Sequence, residues 1–323
     1  MENNWIAPGN AFLPDFIIAG AMKSGTTTLH NILNEHPDVF IPDSEIHFFD
    51  MDDVIEHPEF NYFINGKWVY PNINDHYTEY WQWYSNFFAK ADDDMKIGED
   101  STGYLASKFA PERIASQKKD IKIIFILRNP VDRTYSHYWH NVRAGRLSHS
   151  FENTLRFYPN TILQRSLYKE QLKRYFRYFP EDDIQVIIFE DFIEHKKEYI
   201  KDICNFINVD QDKISDKSIE KHSNKARMPL SPKMQLISNK LNRDAGNWLY
   251  RGHFPYYKTK TGKRKIIPRL VRNIHNSLNP KIEKKPPKMN PDTRRFLIEY
   301  FLKELSGIEE IIGKNALGIW FDE

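Results

Sequence analysis

The chain has 323 residues, 40% of them hydrophobic and 14% aromatic, with a formal net charge of +2 at pH 7. That length fits one large α/β domain or two small ones, and so small a net charge excludes any argument about partners from bulk charge. The single cysteine, Cys204, excludes an intrachain disulfide and argues against a thiolate metal cluster. No run of about 18 apolar residues exists, so no membrane span is expected. Met1 to Pro8 has neither a basic flank nor an apolar core, so no signal peptide is expected either, and a cytoplasmic protein fits.

Phe16 to Ala19 form a short apolar run, the pattern of a buried strand. A glycine turn, Gly20 to Gly25, leads into Thr26, Thr27 and Thr28, which open a segment with helical spacing at Leu29, Ile32 and Leu33. A strand that runs through a glycine turn into a helix is a phosphate cradle: backbone N–H groups and the positive helix end face the anion. Gly20 and Gly25 have the spacing of the nucleotide-binding loop G-x-x-x-x-G-K-[ST], but Thr26 stands where its lysine belongs. The lysine, Lys23, lies inside the loop, followed by Ser24, Gly25, Thr26 and Thr27.

His36-Pro37 stops the first helix. Val39 to Ile41 is a short strand, and Glu45, His47 and Asp50 follow within a few positions of its end, where open α/β sheets bind ligands. Tyr80 to Phe88 suggest an aromatic helix on the core, residues 97–104 a strand entering a loop, and Ala110 to Lys118 a short helix. Ile121 to Leu127 is nearly all apolar, as a central parallel strand should be. It ends in Arg128-Asn129-Pro130, and a helix is predicted from Val131 to Val142. Arginine at the end of a buried strand is expensive unless it meets an anion. Ser136, about two turns into that helix, can reach the same group. A helix over 160–178, a strand over 184–189 and a helix over 191–207 complete the alternation.

That alternation predicts an α/β fold, a P-loop-type central parallel sheet flanked by helices. Beyond 208, eight prolines interrupt the pattern until a last helix over 292–305. The expected organisation is one domain, 1–323, with a core over 15–210 and a basic, loop-rich C-terminal part over 211–323. Charge is uneven: residues 51–94 hold nine acids against two lysines, whereas 221–288 hold eighteen Lys and Arg against two acids.

The Lys23-Ser24-Gly25-Thr26-Thr27 stretch resembles the 5′-phosphosulfate loop of sulfotransferases, which use 3′-phosphoadenosine 5′-phosphosulfate (PAPS). Arg128-x-Pro-x-x-Arg-x-x-Ser136 resembles their 3′-phosphate site. Glu45-Ile-His47-Phe-Phe-Asp50 is close to the E-x-H-F-F-D stretch of the heparan sulfate glucosaminyl 3-O-sulfotransferases. Glu99 to Tyr104 and Arg165 to Tyr168 are similar to two further motifs of that group. The likeness runs from about 15 to 210; Lys225-Ala-Arg227 is a poor copy of that group's K-G-R loop.

The resemblance implies PAPS as cosubstrate, held by Lys23, Ser24, Gly25, Thr26 and Thr27 at the 5′ end, by Arg128 and Ser136 at the 3′-phosphate, and by Lys225 and Arg227. Sulfuryl transfer has a loose, in-line transition state, so positioning and charge stabilisation should dominate. Lys23 is then the group that neutralises charge on the bridging oxygen, and Glu45 the general base. His47 supports Glu45, and Asp50 orients His47. No divalent-metal site is expected. The alternatives are a P-loop nucleotide kinase and, from the basic 221–288 region with its interleaved aromatics, a nucleic-acid-binding protein. The acids and rings of 51–94 point to a small neutral or cationic acceptor or a neutral sugar rather than a long polyanion.

Overall fold

The structure is a computed structural model that describes residues 4–64, 66–220, 227–241, 254–255 and 273–322. Its centre is a five-stranded sheet in the order β2-β5-β1-β6-β7. The strands are β1 (Phe16–Gly20), β2 (Val39–Phe40), β5 (Lys96–Asp100), β6 (Lys122–Leu127) and β7 (Ile184–Ile188), and every pairing among them is parallel. The apolar runs read as strands are strands because both faces of this sheet are covered. Ile17, Ala19, Phe125 and Leu127 face one hydrophobic cluster, with Phe48, Trp81, Tyr104 and Tyr175. Their neighbours Phe16, Ile18, Ile124 and Ile126 face the other, with Leu29, Leu33, Phe192 and Ile203. The two-residue alternation of a strand thus distributes a continuous apolar run between two layers.

The chain leaves β1 and builds first on one side, through β5 and β2, then on the other, through β6 and β7. β1 is therefore the switch point, and the loops after β1, β2, β5 and β6 open at one sheet edge. Helix α1 (Thr26–Leu33) starts at the end of the first loop. Helix α2 (Tyr77–Ser85) buries Tyr80, Trp81 and Tyr84, as the aromatic spacing predicts. It follows an antiparallel hairpin, β3 (Tyr62–Ile64) and β4 (Lys67–Val69), that the sequence pattern does not announce. Helix α3 spans Ala110–Ala115 and α4 spans Pro130–Arg143. Asn129 caps α4, its side chain accepting from the N–H groups of Val131 and Asp132, and Pro130 takes the first helical position.

Two predicted helices are broken. The segment 160–178 is a turn of helix at Asn160–Leu163, a 3₁₀ turn at Gln164–Ser166 and a helix at Tyr168–Phe176, separated by Leu167 at φ −83°, ψ 59°. Side chains brace the break: Arg133 donates to the Ile162 carbonyl, and Gln171 Nε2 donates at 2.7 Å to the Gln164 carbonyl, which also accepts the Leu167 N–H at 3.1 Å. The segment 191–207 breaks at His195 into Phe189–Glu194 and Lys196–Phe206. In the C-terminal part, the last helix predicted is Pro291–Glu304, and two short helices not predicted follow at Ile308–Ile312 and Ala316–Phe321. The last of these returns to the sheet edge, where Asn129 Nδ2 donates to the Trp320 carbonyl at 2.6 Å and Trp320 Nε1 to Glu190 at 3.1 Å. A two-stranded ribbon joins β8 (Arg227–Pro229) to β9 (Lys281–Glu283).

Candidate active site

A cavity of about 1800 Å³ lies at the edge where the loops after β1, β2, β5 and β6 meet. Its wall includes Lys23, Gly25, Thr26, Thr27, Glu45, His47, Thr102, Arg128 and Ser136. The loop after β1 is shaped by its backbone. Gly25 sits at φ +91° as the residue before α1, and a Cβ there would lie 2.7 Å from the ring of Phe189. Only glycine combines that left-handed conformation with so close a ring. Lys23 also has a positive φ, 71°. The first turn of α1 therefore presents its N–H groups to the cavity, the groups a helix cannot satisfy internally.

Lys23 and Arg128 meet here: Arg128 Nη1 donates to the Lys23 carbonyl at 3.3 Å, and the guanidinium lies over the Phe189 ring, 5.1 Å from its centre. Tyr168 donates its hydroxyl to the Arg128 carbonyl at 3.0 Å. Burial holds the Lys23 ammonium below its ordinary pKa, and the charges of Arg143, Arg128 and Arg133 push the same way against Glu45. His140, on the same wall, is pushed down to about 3 by burial and by Lys23, Arg146 and Arg143. This end of the cavity is a concentration of positive charge that an anion would relieve.

The second half is built from β2 and β5. Glu99, fully buried at the end of β5, accepts three hydroxyls at 2.6 Å each, from Tyr84, Ser101 and Tyr104. Burial raises its pKa although all three bonds oppose that. Ser101 Oγ in turn accepts the N–H groups of Ile46 and His47 at 3.1 and 3.0 Å, and the Tyr104 hydroxyl that of Phe49 at 3.1 Å. The buried carboxylate thereby fixes the backbone of residues 46–49, including His47 at φ 54°.

On that loop Glu45 and His47 are paired, Glu45 Oε2 to His47 Nε2 at 3.0 Å, with the Glu45 side chain 41% exposed to the cavity. Thr102 Oγ1 adds contacts of 3.1 and 3.2 Å to the same carboxylate. Burial tends to raise the Glu45 pKa, but the bond and charge of His47, then Thr102, outweigh it and leave it lowered. His47 Nδ1 faces Asp50 Oδ1 at 3.9 Å, and His57 Nε2 lies 2.9 Å from Asp50 Oδ2. His57 is a residue that sequence reasoning missed; the only signal was a histidine among acids, Glu56-His57-Pro58-Glu59. His47, Asp50 and His57 place donor atoms within 4.8 Å of one another, the group among the described residues that could hold a metal ion. His57 Nε2 and both Asp50 oxygens are buried, and the 2.9 Å contact between them is an ion pair when His57 is protonated.

Several expectations are displaced. Ser24 is fully buried under the loop, its N–H turned back to the Ala21 carbonyl at 3.2 Å, and is not on the cavity wall. Arg227 is exposed at the start of β8, off the wall, and its carbonyl accepts from Arg143 at 2.5 Å; Met228 beside it reaches the cavity. Lys225 lies outside the described residues, as do most of the basic 221–288 stretch and its aromatics apart from Phe254. Of the acids and rings after Asp50, Glu56, Glu59 and Phe60 line the cavity. Asp52 is instead paired with Arg113 at 2.6 Å, Glu56 with Arg165 at 3.0 Å, and Tyr80 and Trp81 are core. The wall also carries Arg143, Arg146, Lys285 and Lys288, which the sequence did not place there.

Residues 13–258 match the sulfotransferase domain family. The chain is 29% identical over 209 residues to heparan sulfate glucosamine 3-O-sulfotransferase 5 of Homo sapiens, covering 61% of this chain and 54% of that protein. It is likewise 29% identical over 213 residues to bifunctional heparan sulfate N-deacetylase/N-sulfotransferase 2 of Bos taurus, covering 61% of this chain and 22% of that one. The chain thus spans about half the length of the first relative and less of the second. A crystal structure of a sulfotransferase from Alicyclobacillus acidocaldarius has the same fold, with a TM-score of 0.61 at 24% identity over 96% of this chain and 99% of that chain. Among the described residues no helix is long and apolar enough to cross a membrane. The expected cytoplasmic location is corrected by these relatives, which are named for heparan sulfate. That expectation rested on a short N-terminal stretch and one cysteine, and neither reports a compartment.

Proposed function

This chain belongs to the sulfotransferase domain family, and from that premise we propose that it transfers a sulfuryl group from PAPS to a hydroxyl or amine of a carbohydrate. The observation that carries the reading is that Lys23, Arg128 and Glu45 line one cavity, two cations and a carboxylate on loops from three different strands. The residues fit a doubly anionic nucleotide. The N-terminal turn of α1 and Lys23 offer a charged cradle for one anionic group, and Arg128 with Ser136 offer a second. PAPS, when bound, supplies an activated sulfuryl group on a phosphate leaving group.

Lys23 then neutralises charge growing on the leaving oxygen, the task for which a partly buried ammonium is suited. Its depressed pKa lets it lose its proton more easily than an exposed lysine, and the anion restores its charge. Glu45, exposed to the cavity and held by His47 and Thr102, takes the proton of the acceptor group. Family membership sets the nucleotide-kinase reading aside. For the acceptor, the wall residues Arg143, Arg146, Lys285 and Lys288 favour a carbohydrate that carries acidic groups over a neutral or cationic small molecule.

The test is transfer from labelled PAPS to a panel of carbohydrate acceptors by the wild-type chain and by Lys23→Ala. Label should move to a sugar with wild type, and transfer should fall at least 100-fold with Lys23→Ala. Equal transfer by the two proteins would remove Lys23 from the chemistry.

A further inference from the structure

Asp50 and His57 are buried, and the ring of His47 nearly so. Hydrogen bonding fails in the space they share. Neither Asp50 oxygen, nor His57 Nε2, nor His47 Nδ1 has a hydrogen-bond partner. His57 Nε2 stands 2.9 Å from Asp50 Oδ2, close enough for a hydrogen bond but not aligned for one. His47 Nδ1 lies 3.9 Å from Asp50 Oδ1, too far for one. Turning the His57 ring would join one nitrogen to one oxygen and still leave the other two atoms bare. Buried orphans of this kind are rare in folded proteins, and four atoms facing one another call for something between them.

We propose that His47 Nδ1, His57 Nε2 and the Asp50 carboxylate form a binding site for one divalent transition-metal ion, zinc by its donor set. Two ligands about 2.1 Å from one ion lie roughly 2.9–3.5 Å from each other, depending on the geometry. His57 and Asp50 already have that spacing, and the donor atoms of all three residues fall within 4.8 Å of one another. The His47 ring has to approach by about an ångström to complete the set. Bare backbone at Gly103 leaves it room: a Cβ there would lie 3.2 Å from the His47 ring and 3.4 Å from Asp50 Oδ2.

The surroundings fit a cation. Each imidazole turns its other nitrogen to a carboxylate, His47 Nε2 to Glu45 Oε2 at 3.0 Å and His57 Nδ1 to Glu59 Oε1 at 3.9 Å. Carboxylates so placed fix the tautomer and the orientation of a metal-bound histidine. The His57 ring is also stacked on Phe60, with centres 4.7 Å apart and planes 13° from parallel. Glu45, Asp50 and Glu59 set three carboxylates around two imidazoles, while Arg165 on the same wall is paired with Glu56. A divalent ion offsets that excess of acid. Two imidazoles with one carboxylate suit zinc, whereas magnesium and calcium take oxygen ligands. Both histidines line the cavity, so the remaining coordination positions of the ion open there, beside Glu45.

The test is binding of Zn²⁺ alone to the full chain after treatment with a chelator and desalting. Calorimetry should show one equivalent bound with a Kd of about 10 µM or tighter. Zinc-edge X-ray absorption of the same sample needs no mutation. It should show two imidazoles together with oxygen ligands, all about 2.0–2.2 Å from the ion. His57→Gln should weaken Zn²⁺ by about 100-fold or more. His195→Gln, at an exposed histidine off the cavity wall, should leave the affinity unchanged. Weaker binding, fewer than two imidazoles in the spectrum, or an affinity untouched by His57→Gln would mean an adventitious ion only and overturn the proposal. If His57→Gln does not fold, the spectrum of the wild-type protein decides alone. The readout is the ion itself, so the turnover of Glu45→Gln judges the base and leaves this site to its own test.

Discussion

The two ends of the cavity are built in opposite ways. At the Lys23 and Arg128 end, backbone shape comes first: a left-handed glycine, a helix N-terminus and a strand end bring like charges together, and the result is electrostatically unsatisfied. At the Glu45 end, side chains come first. Acid and base alternate through Glu45, His47, Asp50, His57 and Glu59, and a buried Glu99 fixes the backbone beneath them. One end is a surplus of positive charge that an anion would relieve, whereas the other sets each histidine against carboxylates and has a proton to move. Removing Arg128 from the first should therefore show in nucleotide affinity, removing Lys23, which also faces the leaving oxygen, in turnover as well, and removing a charge from the second in turnover alone.

The largest expected effect tests that division directly. Glu45→Gln keeps the shape and the contact to Thr102 but cannot take a proton. Turnover should fall on the order of 100-fold or more while binding of 3′-phosphoadenosine 5′-phosphate, measured calorimetrically, stays within about twofold. A matching loss of affinity would mean that the two ends are not separable. Arg128→Ala is the converse. It should weaken 3′-phosphoadenosine 5′-phosphate at least tenfold, a charge-assisted bond being worth roughly 1.5–3 kcal/mol, and leave adenosine 5′-phosphate little changed. Equal weakening of both ligands would show that Arg128 does not read the 3′-phosphate.

A smaller effect is expected at Glu99, which touches neither end. Gln in its place puts an NH₂ where a carboxylate oxygen accepts a hydroxyl, at 0% exposure, and should cost about 2 kcal/mol of stability. Because Ser101 and Tyr104 hold the N–H groups of Ile46, His47 and Phe49, turnover should drop severalfold at temperatures where the variant is fully folded. Nucleotide affinity should not change. If denaturant unfolding shows the stability loss while kcat is untouched, Glu99 holds the fold and not the base.

The same division explains what was legible in the sequence. The phosphate end is local in the chain. Gly20 to Thr28 and Arg128 to Ser136 each carry their own strand, turn and helix signal, so the elements and most wall residues could be read, Ser24 excepted because only the fold shows it turned inward. The sheet was legible for the same reason, since its strands are near-continuous apolar runs. The base end depends on contacts across the chain. His57 meets Asp50 through a loop without period, and Arg165 reaches Glu56, 109 positions away, through a helix break. Neither the break at Leu167 nor that at His195 has a proline or glycine to mark it; side-chain donors to the carbonyls of Ile162 and Gln164 brace the first one. Composition misled where it stood in for contacts: the acids after Asp50 read as an acidic wall, but Asp52 and Glu56 are already neutralised by Arg113 and Arg165.

The smallest effect expected concerns the acceptor, and it extends the comparison beyond the two ends to the wall between them. Arg146, Lys285 and Lys288 are exposed there, and Arg143 is half-buried. Exposed cations attract a charged acceptor through solvent, so their contribution is modest and depends on salt. Glu56 and Glu59 are the acids that could oppose them beside the base, and the first is tied to Arg165. Offered together at low salt, a sulfated or uronic-acid-bearing oligosaccharide should be used in preference to a neutral or amine-bearing sugar of similar size. The preference should shrink by roughly threefold between about 0.05 and 0.3 M salt, as screening shortens the reach of each charge to below about 10 Å. Charge reversal at one position, Lys288→Glu, should reduce use of the anionic acceptor and leave the neutral one unchanged. A neutral sugar that wins at every salt concentration would mean that the basic wall serves the nucleotide alone, and the acceptor would then be selected by the rings and hydroxyls around Glu45.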